Sequence, residues 1–466
     1  MSKNFQRKLC LRKKLHKKTS DRENSILKRV ENTFAISNRL RHNLIQQRRR
    51  EPILQSTDLN TTQKNNINFG CIQQMIQNLK YKQNNQVLDT ILELKEIVLI
   101  SETPSPYFLQ LGLVQTLIQK IKTSKNEDII ENSLDILINI STGLSEYIQI
   151  LDGNNAQNIF LKLLSHNNPH IQSKIFEKCC LIEIIKNISF LLLNLFRTTF
   201  PPDLSIVPDV IDIFCSFVLS DEISLIIDGC WGIFYITKFD SQIDKILELN
   251  MYPALIKLLH NESLRITISV FPILSNISKG EQRHKQFLLN NKILDELEKT
   301  FHRYNNQVVL SYVSLIISNL ANGTEAQIGE IIDSKLLTLI IENIQEKYGK
   351  IDAIKKEFTV IVLNVLENGT FQHITNLIEK GVIELICQVI QTIDQQIIYN
   401  CLQIFYIIIK LNENYYIVNQ IEKYRGFEIV NELTNHKNTL IATLSQKILQ
   451  NFNKCLNEQI KQDIEH

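Results

Sequence analysis

Residues 318–327 read SNLANGTEAQ. They contain the last residues of the apolar segment LSYVSLIISNL, then a Gly, and this order indicates a turn between two helices. Asn319 stands one position before the predicted end of the first helix, where an apolar residue would be expected. Similar segments recur as LINISTG, LLNLFR, LSNISKG and VLNVLENG, with Asn139, Asn194, Asn276 and Asn364.

The spacing of these segments predicts the fold. From Asn194, the steps through Tyr235, Asn276, Asn319 and Asn364 are 41, 41, 43 and 45 residues. Apolar residues recur at helical spacing, and no segment alternates as a strand would. A period of about 42 residues in helical sequence is typical of stacked armadillo or HEAT repeats. We therefore predict an all-α, right-handed armadillo-repeat superhelical solenoid of about nine to ten repeats.

Two features modify this regular pattern. Asn139 and Asn194 are 55 residues apart, so we predict that one repeat is truncated between them. A turn residue also precedes the middle helix of each unit, and Gly or Asn is favoured there because the chain leaves a helix with positive φ. The predicted turn residues are Gly112, Asn250, Lys292, Ser334, Gly381 and Gly426.

The charge is unevenly distributed along the chain. Residues 1–50 hold 16 Lys/Arg and 3 Asp/Glu, a balance of +13, whereas the rest of the chain carries −11. We predict a basic arm over 1–50, a polar linker over 51–68, the solenoid over 69–456 and a polar tail over 457–466. The arm is expected to bind an acidic surface. A solvated tail and a nucleic-acid-binding arm are the alternatives, and the second lacks interleaved aromatic residues.

The sequence favours a binding protein over an enzyme. It contains no HExxH, GxSxG, P-loop or dinucleotide-binding motif, and we predict no catalytic residues, metal or cofactor. The nine Cys residues form no CxxC pair and most lie within apolar segments, which is typical of reduced, buried thiols. The N-terminus lacks the apolar region of a secretory signal, and no segment is long enough to span a bilayer. We therefore expect a cytosolic or nuclear protein.

Several segments resemble the importin alpha family of nuclear import adaptors, which are built of armadillo repeats. They are SETPSPYFLQLGLVQTLIQKI, IIDGCWGIFYI, KKEFTVIVLN and RGFEIVNELTNHKN, in the family's order and spacing. The basic arm also resembles the family's importin-beta-binding segment in position and charge. The resemblance implies that importin beta binds a set of basic arm residues: Arg12, Lys13, Lys14, Lys28, Arg29, Arg39, Arg41, Arg48, Arg49 and Arg50.

The resemblance also implies a peptide-binding groove. In that family, Asn side chains of the long helices hold the backbone of an extended basic peptide, and Trp residues one turn earlier pack on Lys and Arg stems. An amide suits this role because it offers both a donor and an acceptor. The implied peptide-binding residues are Asn139, Asn194, Trp231, Tyr235, Asn276, Asn319, Asn364, Glu325 and Glu357.

Each of these assignments has a structural alternative. Without the resemblance, the Asn side chains would serve equally well to join adjacent repeats, and Trp231 would fill the core. Glu325 and Glu357 would be solvated carboxylates at helix ends. Trp231 is the sole Trp in the chain. The positions one turn before the Asn residues, most of which are Trp in that family, hold Asp135, Phe190, Pro272, Leu315 and Val360.

The function that follows is that of a nuclear import adaptor. It would shuttle between cytoplasm and nucleus, bind basic nuclear localisation signals in the groove and bind importin beta through the arm. The opposite charges of arm and body also suggest that the arm competes for the groove. The alternative is a divergent armadillo scaffold that binds other proteins and carries no import cargo.

Overall fold

The computed structural model describes residues 69–81, 84–100, 111–141, 207–346, 351–411 and 416–465, with isolated residues between 108 and 193. These residues form helices and short turns, and no strand occurs among them, so the all-α prediction is confirmed. The described helices belong to two compact units that divide after Leu258. The predicted truncated repeat between Asn139 and Asn194 lies mostly outside the described residues.

The first unit consists of helices that pack on one another. They are α1 (Phe69–Tyr81), α2 (Asn84–Ile100), α3 (Leu113–Thr123), α4 (Glu127–Ser141), α5 (Val207–Val218), α6 (Ile223–Ile236), α7 (Asp240–Glu248) and most of α8 (Tyr252–Leu259). Helix α2 packs on α4, and α5 packs on α6. Gly232 permits the close approach of α5 and α6, because a Cβ there would lie 2.3 Å from the ring of Phe214.

The second unit repeats a group of three helices. Its helices are α9 (Leu264–Lys279), α10 (Gln282–Asn290), α11 (Ile293–Tyr304), α12 (Gln307–Leu320), α13 (Glu325–Asp333), α14 (Lys335–Glu346), α15 (Asp352–Asn368), α16 (Phe371–Glu379), α17 (Val382–Val389), α18 (Gln395–Leu411), α19 (Tyr416–Lys423), α20 (Gly426–Glu432) and α21 (Thr439–Glu465). A short 3₁₀ turn, Leu433–Asn435, precedes the last helix.

Each class of helix packs on its counterpart in the next group. The long helices α9, α12, α15, α18 and α21 stack in that order, and the short helices α10, α13 and α16 do the same. The middle helices α11, α14 and α17 form a third row. Three rows of helices with a period of 43 to 45 residues between equivalent positions are the architecture of an armadillo-repeat solenoid.

The predicted turns are confirmed at four positions. Gly112, Asn250, Lys292 and Gly381 all have positive φ, of 71°, 52°, 56° and 81°. Two predictions are wrong, at Ser334 and Gly426, and each has a local explanation.

Ser334 has φ −70° and an extended backbone. It ends α13 differently, because its backbone N–H and its hydroxyl both donate to the carbonyl of Ile331. Near Gly426 the positive φ belongs to Arg425, at 58°, and Gly426 is the first residue of α20. A Cβ at Gly426 would lie 2.6 Å from Cγ2 of Ile421, so close packing explains this Gly.

Residues 318–327 form the junction between two helices that the sequence predicts. Helix α12 ends at Leu320, the turn contains Gly323, and α13 begins at Glu325. Thr324 caps α13: its hydroxyl accepts from the backbone N–H of Gln327, whose side chain accepts from the N–H of Thr324. The same capping box, with Thr370 and a histidine, begins α16. These caps fix where the short helices α13 and α16 begin.

Candidate functional site

The long helices of the second unit stand in register. The residues that precede them, Ser263, Asn306, Ile351 and Asp394, are separated by 43, 45 and 43 residues. The same intervals relate Asn276 on α9 to Asn319 on α12, Asn364 on α15 and Ile407 on α18. We call these four positions the amide row, although α18 has no amide there.

Two flanking rows are defined by the same intervals. One turn before the amide row lie Pro272, Leu315, Val360 and Gln403. Three residues after it lie Lys279, Asn322, Glu367 and Lys410. These positions follow each other at i, i+4 and i+7, which is the spacing of one helix face, but Asn322 lies in the turn after α12. The three rows together are the long-helix face.

The amides of this face join successive helices. Asn364 is 7% exposed, and its Nδ2 donates to the carbonyl oxygen of Ser318 at 2.8 Å. Nδ2 of half-buried Asn319 donates to the carbonyl oxygen of Ser275 at 3.3 Å and to Oγ of Ser278 at 3.2 Å. The carbonyl of Ser318 lies in the last turn of α12, where intrahelical donors run out, and Ser275 lies in the second-last turn of α9. The amides therefore connect adjacent repeats.

The side-chain oxygen of each amide remains available to accept a hydrogen bond. Among the described contacts, Oδ1 of Asn319 and Oδ1 of Asn364 accept no hydrogen bond. An amide can thus donate to its own fold and still accept an N–H from a ligand. Asn276, on α9, is half-buried.

Two predicted Asn positions are less well described. Asn139 lies in α4, and its side chain is outside the described part of the structure. Asn194 lies outside the described residues, as do all the basic arm positions from Arg12 to Arg50. Their predicted roles stay predictions.

Trp231 and Tyr235 lie on α6 and are 3% and 2% exposed. Their ring centroids are 6.4 Å apart, and Phe234 completes the cluster with its centroid 5.5 Å from that of Trp231. Phe234 was not expected from the sequence, although its spacing of i+3 from Trp231 was a usable signal. The ammonium of Lys238 stands over this cluster, 4.5 Å from the ring centroid of Tyr235. The aromatic cluster therefore already holds a cation from its own chain.

The two predicted carboxylates have different surroundings. Glu325 is exposed in the first turn of α13, where a negative charge is favourable near the helix N-terminus. Glu357, on α15, is only 9% exposed, and it accepts the hydroxyl of Ser318 at 2.5 Å. The solvated alternative therefore describes Glu325 but does not describe Glu357, which joins α15 to α12.

Further polar contacts between long helices were not expected from the sequence. Nδ2 of Asn400 on α18 donates to Oγ1 of Thr359 on α15 at 2.9 Å, and both side chains are buried. In the first unit, Lys95 on α2 pairs with Asp135 on α4 at 2.5 Å. A polar residue on an otherwise apolar helix face is the sequence feature that could have predicted such contacts. These contacts fix how far each long helix can slide on the next.

The described residues show few groups suited to metal binding or catalysis. Within them, no cluster of three or more His, Cys, Asp or Glu side chains could hold a metal ion. Burial and the nearby Glu384 carboxylate raise the pKa of the Cys387 thiol to about 12, which keeps the thiol protonated and unreactive. No helix in the searched part of the chain has the length and apolar content needed to cross a membrane.

One superposition on a solved structure agrees with this architecture over most of the chain. The crystal structure of an engineered protein superposes with a TM-score of 0.63, at 16% sequence identity, over 83% of this chain and 99% of that one. A designed armadillo repeat protein in complex with the peptide (KR)4 covers 52% of this chain, with a TM-score of 0.47 and 19% identity. The fold defines the class of protein: this is an all-α armadillo-repeat solenoid.

Comparison of sequences gives a more particular similarity. No family model matches the chain. The chain is similar to importin subunit alpha-4 of Arabidopsis thaliana, 21% identical over an alignment of 506 positions that covers 97% of this chain and 93% of the relative. It is also similar to importin subunit alpha-1b of Oryza sativa subsp. japonica, 20% identical over 357 positions, which cover 68% of this chain and 66% of that protein. The chain is thus similar in sequence to importin alpha proteins at 20–21% identity.

Proposed function

We propose that this protein is a nuclear import adaptor. It binds basic nuclear localisation signal peptides on the long-helix face and binds importin beta through its basic arm, and it shuttles between cytoplasm and nucleus. The observation that carries the proposal is the amide row, in which Asn319 and Asn364 each keep Oδ1 available. The similarity to importin alpha proteins over most of the chain supports the same function.

The binding mode follows from the chemistry of the row. An extended peptide presents backbone N–H groups at regular intervals, and each Oδ1 can accept one of them. Since the contact is made to the backbone, it fixes the path of the peptide and leaves its sequence open. Residues 51–466, which contain the solenoid, carry −11, so a basic peptide is drawn to them by long-range attraction. No cofactor or catalytic group is required.

The arm has a separate role. Its balance of +13 over residues 1–50 is the charge of a segment that binds an acidic partner, and importin beta is the partner that the resemblance implies. The same charge allows the arm to compete with cargo for the solenoid. A full-length protein with Arg48, Arg49 and Arg50 changed to Glu should lose capture by importin beta on a pull-down and should bind a basic peptide more tightly.

The binding test compares two Asn variants. A fluorescein-labelled peptide of alternating Lys and Arg is titrated with full-length protein at about 0.1 M salt, where surface charges still interact over about 10 Å. Asn319→Ala should weaken the binding several-fold, because the peptide loses a backbone contact of about 1 kcal/mol. Asn343→Ala is the matched control, since among the described contacts that amide bonds within α14, to the carbonyl of Leu339.

A second function is favoured by one observation. The row before the amides consists of Pro272, Leu315, Val360 and Gln403, so within the second unit it offers no aromatic surface to Lys or Arg stems. A divergent armadillo scaffold without import cargo fits this row. Absence of peptide binding, or binding that is equal in wild type and Asn319→Ala, would favour the scaffold over the adaptor.

A further inference from the structure

The turn between α12 and α13 contains an Asn-Gly pair whose peptide group is contacted by a buried ammonium. Nζ of Lys285, on α10, donates to the main-chain oxygen of Asn322 at 3.0 Å, and Lys285 is only 4% exposed. Nε2 of Gln282, also on α10, approaches the same oxygen at 3.5 Å. This oxygen belongs to the peptide bond between Asn322 and Gly323. A positive charge is therefore fixed on the peptide group that joins the Asn to the Gly.

The nitrogen of the same peptide group is not held in the same way. Among the described contacts, the N–H of Gly323 donates to no acceptor. Asn322 is half-buried and Thr324 is exposed, so water reaches the turn. The Gly itself is required by packing, because a Cβ at Gly323 would lie 2.3 Å from Oε1 of Gln327. The turn thus keeps a glycine nitrogen directly after an Asn side chain.

An Asn side chain can be attacked by the nitrogen of the next residue. The Gly323 nitrogen loses its proton and forms a bond to Cγ of Asn322, and the bond from Cγ to Nδ2 breaks as that nitrogen leaves with the proton as ammonia. Water then opens the resulting succinimide at either carbonyl and leaves an aspartate or an isoaspartate. In total, one amide and one water give one carboxylic acid and one ammonia. The reaction needs no oxidant, reductant or cofactor.

Lys285 favours the first step of this reaction. The negative charge of the deprotonated nitrogen is shared with the carbonyl oxygen of the same peptide group by resonance. An ammonium 3.0 Å from that oxygen stabilises the charge as a donor of an oxyanion hole does, and burial strengthens the attraction. We propose that Asn322 is a self-modifying site, which deamidates with Lys285 as its activating group. This inference does not depend on the proposed function.

The modification changes the turn in two ways. Each conversion adds one negative charge to residues 51–466, which carry −11 before it. The isoaspartyl product also adds one carbon to the main chain of the turn, so the carbonyl that Lys285 contacts is displaced. Both changes occur three residues after Asn319 of the amide row.

The chain contains a matched control for this site. Asn368 and Gly369 form a second Asn-Gly pair, and both pairs are followed by Thr. Asn368 is the last residue of α15, and the N–H of Gly369 donates to the carbonyl of Val365 at 2.8 Å. Attack by this nitrogen would break that hydrogen bond and unwind the end of the helix. The same tripeptide should therefore react at Asn322 and be protected at Asn368.

The first test compares the two pairs within the full-length wild-type protein. The protein is incubated at neutral pH, and mass spectrometry of its tryptic peptides, with fragmentation, locates each new carboxyl group. In the folded protein Asn322 should deamidate about tenfold faster than Asn368, or more. In urea the two sites should react at about equal rates, because only the shared local sequence remains. Equal rates in the folded protein, or faster reaction at Asn368, would overturn the inference.

The second test changes the activating group. Lys285→Met should slow deamidation at Asn322 about tenfold or more, whereas Lys285→Arg keeps the cation and should retain most of the rate. A lysine that only braces the turn predicts the opposite, because its loss would loosen the turn and speed the attack. A rate in Lys285→Met equal to or above that of the wild type would therefore sink the proposed activation. Thermal unfolding checks that the variant is folded, and if it is not, the comparison of Asn322 with Asn368 in the wild type decides.

Discussion

Replacement of Asn364 by Ala removes one defined contact between two repeats. The side chain is 7% exposed, and its Nδ2 lies 2.8 Å from the carbonyl oxygen of Ser318. Ser318 is itself buried and stands in the last turn of α12, where carbonyl groups depend on partners from outside the helix. The change therefore acts on α12 and α15 together.

The structure gives the size of the effect. A net amide hydrogen bond contributes about 1 kcal/mol, and a buried acceptor that loses its donor costs about 1–3 kcal/mol. We expect Asn364→Ala to destabilise the contact by about 2 kcal/mol, near the middle of that range. Asn319→Ala should cost less, about 0.5–1 kcal/mol, because its bonds of 3.3 and 3.2 Å are longer and water can replace them at a half-buried site.

Hydrogen exchange is the appropriate assay. Neighbouring repeats contact only each other, so a local loss of stability need not move the global unfolding transition of the whole chain. A cost of about 2 kcal/mol should speed exchange of protected amides in α12 and α15 about 30-fold. Asn343→Ala, whose amide bonds within α14, should leave these helices unchanged. Equal exchange in α12 and α15 for Asn364→Ala and wild type would refute the assigned contact.

Two further predictions concern single residues. Lys292→Gly should stabilise the protein by about 0.5–1 kcal/mol in urea unfolding, because φ is 56° there, and Lys292→Ala should give no gain. At Glu296, burial opposes ionisation, but hydrogen bonds from Lys299 and His260 outweigh it and lower the carboxyl pKa. The resulting stabilisation is present above the unfolded-state pKa of about 4.3 and is lost as pH falls through the lower folded-state pKa. The acid-unfolding profile of Glu296→Gln should lack this pH-dependent stabilisation. A profile identical to that of the wild type would contradict the prediction.

The periodic features of the fold were predictable from the sequence. Equivalent Asn positions recur at 41 to 45 residues, and this interval indicated stacked helical units before any contact was known. The turns at Gly112, Asn250, Lys292 and Gly381 were predictable for a related reason, because each helix must end before the next begins. Such features depend on residues close in sequence, and local chemistry alone determines them.

The features that the sequence did not predict depend on contacts between residues far apart in the chain or on close packing. Gly426 was assigned a positive φ from its residue type, but it is required by the proximity of Ile421, and Arg425 takes the left-handed conformation. Glu357 looked like a solvated carboxylate, whereas a hydroxyl from the preceding long helix meets it. The contact between Lys410 and Tyr406 on α18, with the ammonium 4.5 Å from the ring centroid, was also not expected from the sequence. Each depends on how side chains meet after the helices fold and stack, and a periodic pattern does not contain that information.

The amide row has a different meaning once its contacts are known. Asn319 and Asn364 donate to the preceding long helix, so the stack itself requires an amide at these positions whether or not a peptide binds. Their presence alone therefore distinguishes an import adaptor from a scaffold less sharply than the sequence suggested. The effect of Asn319→Ala on peptide affinity, and not the presence of the amide, is therefore the measurement that separates an adaptor from a scaffold with the same fold.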